Sequence, residues 1–111
     1  MGVKILLRGR VMTASLEGEI DHHTAKNIRE TIDLALNKKR PSILELDFQG
    51  ISFMDSSGIG LIMGRYRAIK LLGGALKVIN VPEQIERVIR LSGLGALGVI
   101  ENRSEKHECN K

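Results

Sequence analysis

A single α/β domain, built on a mixed and mostly parallel β-sheet whose first strand is antiparallel, is what three features of the chain predict. Apolar and polar residues alternate near the N-terminus, the period of half-buried strands. Short apolar runs then alternate with longer stretches of helical spacing, the order of βαβ units joined by right-handed crossovers. Gly and Pro fall where the period changes, at Gly9, Pro41, Gly73-Gly74, Pro82 and Gly93.

Val3, Ile5 and Leu7 define the first strand, and Arg8-Gly9-Arg10 reads as a turn. Met12, Ala14 and Leu16 alternate strictly with Thr13, Ser15 and Glu17, so the leading pair makes an antiparallel hairpin. Asp21 to Thr24 supplies capping side chains. Ala25, Ile28, Ile32, Ala35 and Leu36 then trace the apolar stripe of a first helix that Pro41 stops. Ile43 to Phe48 reads as a strand with Leu44, Leu46 and Phe48 on one face, interrupted by Gln49-Gly50. From Ile59 the spacing is helical again through Ile62, Met63, Tyr66 and Ile69, giving a helix over 57–72 that Gly73-Gly74 ends. Leu76 and Val78 mark another strand. Pro82 suits the first turn of a third helix carrying Ile85, Val88 and Ile89, which Gly93 closes. Leu97 to Ile100 suits a short last strand. The strands near 12–20, 43–48 and 75–80 should pair in parallel, the domain should cover 1–102, and the polar stretch 103–111 should be a disordered tail.

Lys and Arg number 17 against 13 Asp and Glu, for a formal charge of +4. A basic balance raises nucleic acid as a partner, but the bases are scattered as Arg8/Arg10, Lys38-Lys39-Arg40, Arg65/Arg67/Lys70 and Arg87/Arg90. One Tyr, two Phe and no Trp leave few stacking platforms, and no helix-turn-helix, zinc-finger or RNA-binding signature is present. Nucleic acid is therefore not an expected partner. The longest apolar run falls far short of the ~20 residues that cross a bilayer, and no signal-peptide pattern opens the chain, so a cytoplasmic protein without a membrane partner is expected. Cys109 alone forms neither an internal disulfide nor a Cys-based metal site. His22 and His23 are adjacent and lack a third ligand, so neither metal nor cofactor is expected.

Chemistry concentrates in Ser52-Phe53-Met54-Asp55-Ser56-Ser57-Gly58-Ile59-Gly60, between a strand and a helix. At such a junction backbone N–H groups lack partners, and Asp and Ser side chains cap them. A hydroxyl placed there is accessible, and the helix N-terminus accommodates an added anion, so Ser56/Ser57 is a candidate phosphorylation site. The same position also suits both serines as plain caps. In parallel sheets, loops after the carboxyl ends of strands hold functional sites. The loops at 21–24 and 55–58 both follow such ends and should share one edge of the domain.

Gly18-Glu19-Ile20-Asp21-His22-His23-Thr24-Ala25, Ser52 through Gly60, Gly64-Arg65-Tyr66 and Leu91-Ser92-Gly93-Leu94 together resemble the anti-sigma factor antagonist family, a branch of the sulfate transporter and anti-sigma factor antagonist domains. The match runs from about residue 3 to 100. Asp-Ser-Ser-Gly after Phe-Met is similar to antagonists that are phosphorylated on serine, and Asp-His-His-Thr-Ala with Gly-Arg-Tyr is closest to the sporulation, sigma-F group. The resemblance implies a binding switch rather than an enzyme. Its partner would be a serine-kinase anti-sigma factor with bound nucleotide, from which the unphosphorylated antagonist releases the sigma factor. The kinase would phosphorylate the second serine of the motif, Ser57, and a metal-dependent serine phosphatase would restore the active form.

Strand order and helix phase suggest the docking face. It should combine Asp21, His23 and Thr24 with Asp55, Ser56, Ser57, Gly58, Gly60 and Gly64, with Arg65 or Arg67 at the far rim. A flat Gly60/Gly64 surface would let another backbone approach closely. Asp55 should orient the loop or cap the helix. Two alternatives stand beside this reading: an antagonist acting on a stress-response anti-sigma kinase, and, outside the class, a serine hydrolase using Ser57. The hydrolase lacks a Gly-x-Ser-x-Gly elbow, because Asp55 stands where the first Gly belongs.

Overall fold

Gly9 and Arg10 close a tight hairpin between β1 (Gly2–Arg8) and β2 (Val11–Ile20), with Gly9 at φ +57, a left-handed turn conformation that glycine adopts freely. The computed structural model describes residues 2–101; the 102/103 boundary and Cys109 lie outside them. α1 (His22–Lys39), β3 (Ile43–Met54), α2 (Ser56–Leu71), β4 (Ala75–Ile79), α3 (Glu83–Leu91), a 3₁₀ turn (Leu94–Leu97) and β5 (Ile100–Glu101) follow. The five strands lie in the order β1-β2-β3-β4-β5, with β1 antiparallel to β2 and every other pair parallel. Each crossover steps one strand in the same direction, which with right-handed connections gathers the helices on one face. On that face Met12, Ala14 and Leu16 stand beside Leu44, Leu46 and Phe48, and Leu76 and Val78 continue the rows. Ile28, Ile32 and Leu36 of α1 and Leu61, Ile62 and Ile69 of α2 cover them.

Three expectations about the elements need correction. Gln49-Gly50 does not end the third strand, which continues to Met54. Two register shifts against β2 absorb extra residues, and at Gly50 a Cβ would lie 2.9 Å from the Leu16 carbonyl oxygen. Glycine here lets the two backbones close up through a bulge. The segment 97–100 is not one strand: the 3₁₀ turn occupies Leu94–Leu97, Gly98 turns at φ +70, and only Ile100–Glu101 pair with β4. On α2 the most buried residues are Gly58, Leu61, Ile62, Arg65 and Ile69, while Ile59, Met63 and Tyr66 are only half-buried. The helix packs simultaneously on α1, β3 and β4, so its buried face is wider than the predicted stripe and turned toward α1.

Candidate phosphorylation and docking site

β2 and β3 are adjacent and parallel, so the loops that follow them must leave the sheet side by side. A hydrogen bond from the Asp55 N–H to the Ile20 carbonyl, 3.1 Å, ties them together. Asp21 is the N-cap of α1: its Oδ1 accepts from the His23 N–H at 2.9 Å and the Thr24 N–H at 3.0 Å. The Thr24 hydroxyl accepts in return from the Asp21 N–H at 2.9 Å and donates to the Glu19 carbonyl at 2.8 Å. This closed capping box anchors the start of α1 to the end of β2. The Thr24 N–H bond is the largest influence holding the Asp21 carboxyl below its ordinary pKa; burial opposes it, and further bonds from His23 and Thr24 reinforce it.

Asp55 repeats the arrangement on α2. Its Oδ1 accepts from the Ser57 N–H at 2.7 Å, and its carbonyl accepts from the Gly58 N–H at 2.9 Å. Asp55 is thus the N-cap, Ser56 the first helical residue and Ser57 the second. Ser56 is exposed; Ser57 is partly exposed and lines an open groove of about 740 Å³ between α1 and α2. His22, His23, Lys26 and Arg29 of α1 form one wall, and Gly60 and Gly64 lie along the other. A Cβ at either glycine would meet nothing within 4 Å. The two His rings sit edge to face with centroids 5.5 Å apart. Among the described residues no three His, Cys, Asp or Glu side chains gather where a metal could be held, and no helix is long and apolar enough to cross a membrane.

Of the expected docking residues, His23, Ser57, Gly60 and Gly64 share this groove, while Asp21, Thr24, Asp55 and Ser56 occupy the two capped loops at its head. Arg67 is exposed on α2 but does not line the groove. Two expectations are overturned. Gly58 is buried, and a Cβ there would fall 2.2 Å from Met54 Cγ, so this glycine admits Met54 under the helix start instead of forming an outer surface. Arg65 is no rim residue either. Its side chain is only 7% exposed, with Nε 3.0 Å from Asp33 Oδ1 and Nη2 donating to Asp33 Oδ2 at 3.3 Å. The Nε contact is close but off-line for a hydrogen bond, so it acts chiefly through charge. Burial pulls the Arg65 pKa below the usual arginine range, Asp33 opposes that, and the nearby Arg29 charge adds to it. Lys26 and Arg29 were absent from the expected face. Their spacing of three on the polar side of the α1 stripe is the signal that marks them.

A STAS domain model matches residues 3–107, and the chain belongs to that family. Within it the chain is similar to anti-sigma factor antagonists, which are regulatory proteins rather than enzymes. It is 38% identical over 84 residues to the anti-sigma F factor antagonist of Paenibacillus polymyxa, covering 76% of this chain and 72% of that one. To the anti-sigma-B factor antagonist of Bacillus subtilis it is 33% identical over 92 residues, covering 82% of each. The structure of the anti-sigma factor antagonist SpoIIAA in its unphosphorylated form superposes with a TM-score of 0.81 at 29% identity, over 98% of this chain and 94% of that one. SpoIIAA of Bacillus in its phosphorylated form superposes at 0.73, also at 29% identity, over 98% and 97%.

Proposed function

We propose that the unphosphorylated chain acts in the cytoplasm as a sporulation anti-anti-sigma factor. It binds a nucleotide-bound serine-kinase anti-sigma factor, which releases sigma factor F, and phosphorylation of Ser57 switches it off. The observation that carries this reading is the placement of Ser57 as the second residue of α2, beside the Asp55 cap and facing an open groove. In the transfer, the Ser57 oxygen attacks the γ-phosphorus of ATP in line, the bond from that phosphorus to the β,γ-bridging oxygen breaks, and ADP leaves. The hydroxyl proton passes to a base supplied by the kinase. Asp55 is committed to the Ser57 N–H and serves as a cap. A metal-dependent serine phosphatase hydrolyses the ester and restores the hydroxyl.

The switch is local. Phosphate adds about −1.5 to −2 charges at a helix N-terminus, where the dipole and orphan N–H groups favour an anion, so the domain stays folded. At a tight interface the same group adds bulk and charge. A loss of ~3 kcal/mol there weakens binding more than a hundredfold. The similarity to an anti-sigma-B factor antagonist, which spans more of both chains than the match to the Paenibacillus polymyxa protein, favours a second reading in which the kinase belongs to a stress-response pathway. Incubation with the anti-sigma kinases of the same genome and ATP separates the two, because one kinase should add a single phosphate, at Ser57. Peptide mapping that puts the phosphate on Ser56 or Ser92 would overturn the site.

A further inference from the structure

We propose that the α1–α2 groove is the seat of the Ser57 phosphate itself, with Lys26 and Arg29 as its counter-charges in cis. The proposal rests on the reading of Ser57 as the modified residue and adds where its phosphate goes. Ser57, His22, His23, Lys26, Arg29 and Arg65 line one open groove; among the described residues no carboxylate lines it, and the Asp55 carboxylate at its head is held by the Ser57 N–H at 2.7 Å. Arg65, the buried cation among the described residues, is matched by Asp33 of α1 at 3.0 Å, so its charge is already answered. Lys26 is exposed, and Arg29 reaches only Glu30, at 4.0 Å with both side chains about half exposed, a contact of little strength. Arg29 also lies near enough to Arg65 to disfavour its protonation, so positive charge accumulates here beyond what Asp33 balances.

Two such cations match the charge of about −2 that a phosphoserine carries. α1 and α2 each follow one of two neighbouring parallel strands and so run in the same direction. The first turns of α1, bearing Lys26, therefore flank the first turn of α2, bearing Ser57. Gly60, with nothing within 4 Å of a Cβ, leaves the space between them open. Phosphorylation would then change the docking face twice over, filling the groove and cancelling its charge, without moving either helix. A partner side chain of negative charge that used Lys26 and Arg29 in the unmodified state would find them taken.

The test uses the full chain with phosphoserine installed genetically at position 57, so that it needs no kinase. The second ionisation of the phosphate, near pH 6 for an unperturbed phosphoserine, is followed by ³¹P NMR. The dipole of α2 lowers it in every variant, so the comparison is with Lys26→Gln, Arg29→Gln and the double variant, each exposed enough to leave folding unchanged by circular dichroism. Removing each cation should raise the midpoint by about 0.4 pH unit, from Coulomb's law in water at ~7 Å, and the effect should shrink at 1 M salt. Midpoints that coincide in all four proteins would overturn the cis seat. Failure of any kinase to modify Ser57 would instead defeat the proposed function and leave this measurement standing.

Discussion

Alanine placed at Gly58 and at Gly64, two positions in one helix, should move stability in opposite directions. At Gly64 a Cβ meets nothing within 4 Å, so the substitution gains helix propensity without a clash. Replacing a helical glycine by alanine is worth up to ~1 kcal/mol. At Gly58 the same Cβ would stand 2.2 Å from Met54 Cγ and 2.3 Å from its Sδ. Met54 is 5% exposed, and Cγ is close to its backbone, so the side chain cannot swing clear by a change at its tip alone. Overpacking of this kind costs about 1–3 kcal/mol, which exceeds what the propensity returns. Urea or thermal unfolding followed by circular dichroism should therefore show Gly64→Ala a few degrees above the parent. Gly58→Ala should lie below it by roughly 4–8 °C, the shift for a central net cost of ~1 kcal/mol (about 2 of overpacking less ~1 of propensity) in a domain of this size. Gly64→Arg should keep a melting temperature near the parent's, while affinity for the anti-sigma kinase drops at least tenfold, equivalent to ~1.4 kcal/mol. A Gly64→Ala protein that melts well below the parent would show this position to be packed, and normal kinase binding by Gly64→Arg would place the interface elsewhere.

Ser57→Asp should fold normally yet lose most affinity for the kinase, while Ser57→Ala binds and resists inactivation; a largely unfolded Ser57→Asp protein would make the effect structural. In the α1–α2 pair, Asp33→Ala should destabilise more than Arg65→Met, because the first leaves a guanidinium buried without its counter-charge and the second leaves a carboxylate that water reaches. Equal costs in urea melts, or a larger one for Arg65→Met, would refute that asymmetry. The Asp21 carboxyl has its pKa depressed in the folded chain, so its contribution is present above the ordinary value of 3.8 and fades as pH falls through the lower folded value. Asp21→Asn should flatten the acid limb of the stability curve below about pH 4, and an unchanged limb would show that other carboxylates set it.

The loops of the site were legible in the chain because their signals are local. Asp21 with Thr24 three residues on, and Asp55 before two serines, carry the short-range chemistry of caps, and of the side chains that could serve the structure selects Asp21 and Asp55, with Ser56 and Ser57 inside the helix. Adjacency of the two loops followed from crossover topology, which needs only the order of strands and helices. The rest depends on long-range contacts that local signals do not carry. α2 carries Ile59, Leu61, Ile62, Met63, Tyr66, Ala68, Ile69 and Leu71, so apolar residues surround it on nearly every side and periodicity alone cannot choose the face that packs. The choice was settled by Asp33, 32 residues earlier on α1, which receives the Arg65 charge and lets a cation lie where a rim residue was expected. Gly58 misled for a related reason. A glycine after Asp-Ser-Ser suggests an open surface, but its missing side chain makes room for Met54 on the preceding strand. Gly60 and Gly64, of the same type and helix, face the opposite condition and stay open toward α1. Burying Arg65 against Asp33 turns the α1 side of α2 inward, and that turn sets Ser57, Gly60 and Gly64 along the groove shared with Lys26 and Arg29. The ion pair thus shapes the groove from within: Arg65 lines it while Asp33 holds its charge, so the residue expected as one possible rim becomes part of the wall against which Ser57, Gly60 and Gly64 are set.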